Sequence, residues 1–262
     1  EYAHLYNVKV YITLNILIKE EELDEAVEFL NLLDKLNVDA VIVQDIGLAK
    51  TIRDEFPGLR IHASTQMTVH NLEGLRALED MGVSRAILAR EVTLQEIQNM
   101  TSKSEMELET FVHGALCICY SGQCLMSSMI GGRSGNRGMC AQPCRLPYEL
   151  IDRRDNIIKS KSHLLSPKDL CSYDFLYNVI DAGVTSLKIE GRMKRPEYVG
   201  AITRAYRELI DTAVPSQRRR QELLQIFNRG GFTSGYYFGM DNRDIICTKK
   251  PNNWGVYIGE VT

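Results

Sequence analysis

Strand patterns and helix patterns alternate along much of the chain, and this alternation restricts its possible folds more than any other sequence feature. Residues 8–14 are apolar and β-branched, and residues 21–36 then repeat apolar side chains at helical spacing. Similar strand patterns recur near residues 40, 60, 85, 108 and 184. Strands that alternate with helices form parallel sheets with the helices packed outside. The sequence therefore predicts an α/β fold.

The six strand patterns are two fewer than a closed (β/α)8 barrel requires. Residues 1–7 read as the end of a helix that precedes the first visible strand. We therefore predict a TIM-like (β/α)8 barrel that lacks its first two strands in this chain. An open doubly wound sheet is the alternative that the same pattern allows.

The alternation stops where cysteine and glycine become frequent, which predicts an insertion in the barrel. We predict a partial barrel over residues 1–245 that includes a cysteine-rich insertion at residues 115–165. Residues 253–262 alternate apolar and polar side chains like an antiparallel strand. Residues 246–262 are therefore interpreted as the start of a small C-terminal β domain that is truncated in this chain.

The composition is that of a globular protein with an uneven distribution of charge. The 262 residues are 44% hydrophobic, and no apolar run is long enough to cross a bilayer. The formal net charge is −3, but residues 1–100 hold 9 basic against 17 acidic residues, which leaves the remainder at +5. A positive surface suits a phosphate-bearing partner such as RNA, and an ordinary solvated surface would look the same.

Four of the seven cysteines follow the spacing Cys117-x6-Cys124-x15-Cys140-x3-Cys144. Four converging thiolates can hold an iron–sulfur cluster or a tetrahedral zinc ion, because thiolate is a soft ligand. Their clustering favours ligation in a reducing, cytoplasmic compartment over a disulfide framework, with buried or redox thiols as the alternative. The cysteines expected outside the ligand shell are Cys119, Cys171 and Cys247.

Polar side chains follow the predicted strands at the ends where the active site of a barrel forms. A single polar residue at such a place is usually a helix cap, but here every predicted strand has one. Guanidinium groups among them suit carboxylate or phosphate, so we expect a small anionic ligand. The candidate binding residues are Asn15, Gln44, Gln66, Arg90, Lys188 and Arg192, with Arg137 from the insertion.

His62, His113 and Glu190 are the candidate catalytic residues. Imidazole titrates near neutral pH, and the Glu190 carboxylate can act as a base. A hydrogen-bonded core residue is the alternative for each histidine. Cys–His catalysis is conceivable, but neither His-Glu-x-x-His nor Gly-x-Ser-x-Gly occurs in the sequence. One cavity below the insertion is expected to collect His62, Gln66, Arg90, His113, Lys188, Glu190 and Arg192.

Four segments have the spacing of a known family. The most specific is Glu109-x-Phe111-x2-Gly114-Ala115-Leu116-Cys117-x4-Gly122-x-Cys124-x-Met126-Ser127. The other segments are His62-Ala-Ser-Thr-Gln66, Leu187-Lys-Ile-Glu-Gly-Arg192 and Phe227-Asn-Arg-Gly-Gly-Phe-Thr-Ser-Gly235. Together they resemble peptidase family U32, also called the collagenase-like family.

This resemblance implies a TIM-like barrel and, for similar members, oxygen-independent hydroxylation. Such members are implicated in modifying the wobble uridine of tRNA, a cytidine of 23S rRNA or ubiquinone precursors, and the RNA-directed ones are linked to prephenate. Their four cysteines are associated with a 4Fe–4S cluster. We therefore expect RNA hydroxylation with tRNA favoured, a 4Fe–4S cluster with zinc as alternative occupant, and prephenate as co-substrate. A collagenase-type peptidase and a non-catalytic binding scaffold are the alternatives.

Overall fold

The computed structural model describes residues 1–239, 243–256 and 259. The protein is a mixed α/β structure with a mostly parallel central sheet, which confirms the predicted fold class. Its chain divides into two compact units. The first contains Glu1–Thr110, Cys119–Ala141 and Ala182–Ser186, and the second contains Phe111–Ile118, Gln142–Asp181 and Leu187–Thr262.

The first unit is built on parallel strands that lie side by side in chain order. They are β1 (Tyr11–Leu14), β2 (Ala40–Val43), β3 (Ile61–Ala63), β4 (Val83–Ile87) and the start of β5 (Glu107–Ala115). All four side chains of β2 are buried, as expected for a strand that is covered on both faces. The strand ends of this unit therefore share one edge of the sheet.

Helices follow these strands, and capping side chains set where several of them begin. They are α1 (Leu23–Lys35), α2 (Ile46–Glu55), α3 (Leu72–Asp80), α4 (Leu94–Thr101) and, in the cysteine segment, α5 (Met126–Gly131). Asp45 accepts a hydrogen bond from the Leu48 N–H at 2.9 Å, and Thr93 forms a capping box with Glu96. Such caps pair amide groups that the first helical turn leaves without partners.

The second unit combines the end of β5 with shorter strands and a helical layer. Its further strands are β6 (Tyr148–Ile151), β7 (Ile157–Ser162), β8 (Asp169–Cys171), β9 (Ser186–Ile189), which begins in the first unit, and β10 (Phe232–Thr233). Its helices are α6 (Leu176–Asp181), α7 (Pro196–Thr212) and α8 (Gln217–Ile226). Strands β6 and β7 pair as an antiparallel hairpin, and β10 pairs in parallel with β8.

All six predicted strands are present, as β1 to β5 and β9. The sheet differs from the prediction at β8, which runs antiparallel to β5 and pairs Ala115 with Asp169. No closed sheet is found among the described residues, so the structure does not confirm a TIM barrel. The predicted domain boundaries stay a prediction. The predicted strand over 253–262 falls partly on residues 257–258 and 260–262, which lie outside the described part, and positions 253–256 form no strand.

Helix lengths give one further result about the described residues. The longest helix, α7, has 17 residues and carries charged side chains along its exposed face. None of the helices described is both long and apolar enough to cross a membrane.

Candidate functional site

The ends of β1, β2 and β3 bring three predicted binding residues into one hydrogen-bonded cluster in the first unit. Asn15 Nδ2 donates to Ser64 Oγ at 3.3 Å, and Gln66 Nε2 donates to the Asn15 carbonyl oxygen at 2.7 Å. With its amide turned to donate, Gln44 reaches the same carbonyl oxygen at 3.2 Å. We call Asn15, Gln44, Ser64 and Gln66 the amide cluster. Its donors and acceptors suit a polar small molecule.

The loop that leads to Cys124 is fastened within the first unit by Glu91 and Thr68. Glu91 Oε1 accepts from both the backbone N–H and the hydroxyl of Ser121, at 3.1 and 3.2 Å. Thr68 donates its hydroxyl to the Ser121 carbonyl oxygen at 2.7 Å. Gly122 has a φ of +75°, and a Cβ there would overlap the Gln66 carbonyl oxygen. Glycine is therefore required for this close approach.

His62 lies at the centre of β3 rather than at its end, and its side chain is buried in the first unit. The ring packs edge-on against Tyr11, with the centroids 4.8 Å apart. Burial, assisted by the charge of Arg85, lowers the pKa of His62 to about 4. The ring is therefore neutral at neutral pH. Its predicted catalytic role stays a prediction, with a buried core ring as the alternative.

The predicted arginines of the first unit contact different partners. The backbone N–H of Arg90 donates to the Ser121 hydroxyl at 3.1 Å, which places Arg90 beside the fastened loop. Arg137 donates to both carboxylate oxygens of Glu22, and this pairing lowers the pKa of Glu22 to about 2. The guanidinium of Arg137 is thus already engaged with a carboxylate. Its predicted role in ligand binding stays a prediction.

His113 lies on β5 in the second unit, buried and held by Tyr206. The Tyr206 hydroxyl donates to the Val112 carbonyl oxygen at 2.8 Å, so it accepts from His113 Nδ1 at 3.2 Å. This arrangement assigns the ring proton to Nδ1 and leaves Nε2 as an acceptor. Burial lowers the pKa of His113 to about 3, so the ring is neutral.

Glu190 meets β5 through a close backbone approach in the second unit. The Glu190 N–H donates to the His113 carbonyl oxygen at 2.8 Å. A Cβ on Gly114 would overlap the carbonyl oxygen of Glu190. The exposed Arg192 donates its backbone N–H to Glu190 Oε1 at 3.0 Å. Lys188 lies over an aromatic ring of β5, with its ammonium 5.6 Å from the ring centroid. The structure thus brings His113 and Glu190 together.

A buried group of charges in the second unit was missed by sequence reasoning. Asp169 begins β8, is 1% exposed and accepts from the Arg229 guanidinium. Lys194 lies above the rings of Phe227 and Tyr198. The signal that could have revealed Arg229 was its place in the Phe227–Gly235 family motif. Asp169 had no comparable signal, because it belongs to a strand of only three residues.

Two of the predicted cysteine ligands, Cys124 and Cys140, belong to the first unit. A Cβ built on Gly135 would lie 4.0 Å from both the Cys140 sulfur and the Cys124 carbonyl oxygen. Gly135 therefore lies close to both Cys140 and the backbone of Cys124. Ser127 also fixes this segment, because its hydroxyl accepts from the Ala141 N–H at 2.9 Å.

The other two predicted ligands, Cys117 and Cys144, lie near Arg145 in the second unit. Burial and the Arg229 charge lower the pKa of Arg145, and the charges of Cys144 and Cys117 oppose this effect. A neighbouring guanidinium favours the thiolate form that binds metal. Among the described residues, no group of three or more His, Cys, Asp or Glu is arranged to hold a metal ion.

Comparison with known proteins finds relatives with two kinds of named activity. A 23S rRNA 5-hydroxycytidine C2501 synthase from Escherichia coli (strain K12) is 37% identical, across 99% of this chain and 41% of its own length. A tRNA hydroxylation protein P1 from Bacillus subtilis (strain 168) is 37% identical, across 80% of this chain and 51% of its own. A collagenase from Porphyromonas gingivalis (strain ATCC BAA-308 / W83) is 32% identical, across 88% and 60%.

The chain therefore spans only part of each of these relatives, 41% to 60% of their lengths. The family model for peptidase family U32 matches residues 1–246, which is nearly all of the chain. That match includes the cysteine segment and the strand-end residues described above. The resemblance read from the four sequence motifs is thereby confirmed, and the chain belongs to peptidase family U32.

Proposed function

We propose that the chain is part of an enzyme for oxygen-independent RNA hydroxylation, with 5-hydroxyuridine in tRNA favoured and a 23S rRNA cytidine as the second target. The observation that carries the proposal is 37% identity to two proteins named for rRNA and tRNA hydroxylation. The net charge of +5 over residues 101–262 supports an RNA partner, because phosphate contacts need cations. A cytoplasmic location follows from that substrate.

The proposal includes a 4Fe–4S cluster held by Cys117, Cys124, Cys140 and Cys144, with zinc as the alternative occupant. The spacing of the four cysteines in the sequence supports a common ligand set. Such a cluster supplies electron transfer when it is bound. Arg145 would stabilise the thiolates of Cys117 and Cys144 by its charge. Glu91 and Thr68 would fix the loop that presents Cys124 through their bonds to Ser121.

The proposed enzyme also has a small-molecule ligand and a barrel fold. We propose that a small anion such as prephenate binds at the strand ends, where the amide cluster offers hydrogen bonds. His62, His113 and Glu190 remain the candidate catalytic residues, with both imidazoles neutral at neutral pH. The parallel order of β1 to β5 supports a TIM-like barrel.

Nucleoside analysis tests the activity directly. Total tRNA and 23S rRNA from a strain that lacks the gene are digested and measured by mass spectrometry for 5-hydroxyuridine and 5-hydroxycytidine. Loss of 5-hydroxyuridine, restored by the wild-type gene but not by Cys117→Ser, is the expected result. Unchanged levels of both nucleosides would contradict the proposal.

The second candidate function is a collagenase-type peptidase. It is favoured by the collagenase of Porphyromonas gingivalis, which is 32% identical to this chain. Incubation of the purified protein with gelatin and with a defined collagen peptide distinguishes the candidates. The RNA proposal predicts no cleavage above a control purified identically from cells without the gene. Cleavage that co-purifies with the protein and survives removal of metal would favour the peptidase.

A further inference from the structure

The buried side-chain atoms of the second unit without a hydrogen-bond partner among the described residues are the hydroxyl oxygens of Ser162 and Ser172 and two atoms that only accept, His113 Nε2 and Asp169 Oδ2. The side chains of His113 and Asp169 are only 1% exposed. His113 Nε2 is an acceptor because Nδ1 carries the proton toward Tyr206, and Asp169 Oδ1 already accepts from Arg229. Buried polar atoms are nearly always paired, so two orphan acceptors in one unit need an explanation. A bound molecule with a donor group would supply it.

In the same unit, Lys194 carries hydrogen-bond donors that no acceptor among the described residues uses. Its half-buried ammonium lies 5.3 Å from the Tyr198 ring centroid and also over Phe227. Within the described part of the chain, that ammonium has no hydrogen bond or ion pair. An ammonium has three donors, and a half-buried one is costly unless an anion pairs with it.

Arg229 and Arg145 add positive charge near Lys194 but use their own donors on the protein. Arg229 donates to Asp169 and to the Pro251 carbonyl oxygen, and Arg145 donates to Ser166 and to the Leu116 carbonyl oxygen. Burial, followed by the Arg229 charge, lowers the pKa of Lys194 to about 8, so the ammonium remains mostly charged at neutral pH. The charges of Arg229, Lys194 and Arg145 act on the buried carboxylate of Asp169, and the Glu190 carboxylate also acts on Lys194. An anion at Lys194 would pair an ammonium that forms no ion pair with any described residue.

We propose that Lys194, Asp169 and His113 form a binding site for a small carboxylate that also carries a hydroxyl group. The carboxylate pairs with the Lys194 ammonium, in the positive field of Arg229 and Arg145. The hydroxyl donates to Asp169 Oδ2 or His113 Nε2. A carboxylate without a hydroxyl leaves both acceptors unpaired and therefore binds more weakly. This site is separate from the amide cluster, and the inference rests on the proposed function only for the idea that a small anionic metabolite takes part.

Calorimetric titration of the purified protein with malate and succinate tests the site, because these dicarboxylates differ by one hydroxyl group. Malate is expected to bind with a Kd below about 1 mM, and succinate at least about tenfold more weakly. Lys194→Met keeps the length of the side chain and its contact with the rings, and should weaken malate binding at least about tenfold. Lys249→Met, an exposed position in the same unit, should leave malate binding unchanged and serves as the matched control.

The proposal is overturned if wild-type protein does not bind malate, or if Lys194→Met binds it as well as wild type while melting at the same temperature. Equal affinity for malate and succinate overturns the role of the two acceptors. A Lys194→Met protein that fails to fold is replaced by Lys194→Gln, to which the same criteria apply. Nucleoside analysis is separate from these titrations. Malate binding with unchanged RNA nucleosides would refute the RNA proposal alone, and lost nucleosides without malate binding would refute this site alone.

Discussion

Replacing Tyr206 with phenylalanine should destabilise the protein markedly, because one buried hydroxyl joins three backbone and side-chain groups. It donates to the Val112 carbonyl oxygen at 2.8 Å and accepts from the Ser172 N–H at 3.1 Å and from His113 Nδ1 at 3.2 Å. The ring itself is 4% exposed, so water cannot easily replace the lost partner. The substitution keeps the ring and its packing and removes only these hydrogen bonds.

The expected loss follows from the cost of leaving buried polar groups unpaired, about 1–3 kcal/mol for each group. Since the Ser172 N–H also donates to the Val112 carbonyl oxygen at 2.9 Å, only His113 Nδ1 is left without a partner, and we expect a loss of about 1–3 kcal/mol. Urea titration followed by circular dichroism measures the change, with the slope compared to detect intermediates. Tyr120→Phe, at a tyrosine that is 54% exposed, should change stability by less than about 0.5 kcal/mol. A Tyr206→Phe loss as small as that of the control would refute the reasoning.

Three further predictions concern the loop, the histidines and the cluster. Gly122→Ala should lower both the melting temperature and the iron content, because the added Cβ would overlap the Gln66 carbonyl oxygen. The control Gly131→Ala should change neither, because the space around Gly131 is open. Stability should fall as the pH drops from about 6.5 toward 4, because His62 and His113 are protonated in the unfolded chain but not in the folded protein, where their pKa values are about 4 and 3. Each histidine contributes up to about 1.4 kcal/mol per pH unit to this loss. A urea midpoint that does not change with pH would contradict the prediction. Anaerobically purified protein should contain about four iron and four sulfide ions per chain. Cys124→Ser should reduce this content, and the control Cys247→Ser should not. Stoichiometric zinc without absorbance near 400 nm would contradict the cluster.

Periodicity predicted the regular elements well because each has a face that must be buried. In α7 (Pro196–Thr212) the buried residues Tyr198, Ala201, Ile202, Ala205 and Leu209 recur at helical spacing, and Ala213 ends the helix in the left-handed conformation at φ 58°. Strand β8 escaped prediction because three residues are too few to show a period. Its antiparallel pairing with β5 depends on tertiary contacts that no local pattern encodes.

The candidate site was only partly predictable for a related reason. Asn15, Gln44 and Gln66 could be grouped because parallel strands deliver their ends to one edge. Asp169 and Arg229 are 60 positions apart in the sequence, and only folding brings the two charges together. The state of His113 was equally hidden, since its tautomer depends on a hydroxyl from α7.

Mass spectrometry of tRNA nucleosides from a gene-deletion strain tests the central claim most directly. We predict that 5-hydroxyuridine disappears and returns with the wild-type gene, while the variants Cys117→Ser and Cys144→Ser fail to restore it. Lys249→Met should restore it fully, because this exposed residue belongs to neither the proposed cysteine ligands nor the proposed anion site. Wild-type levels of 5-hydroxyuridine and of 23S rRNA 5-hydroxycytidine in the deletion strain would contradict the account.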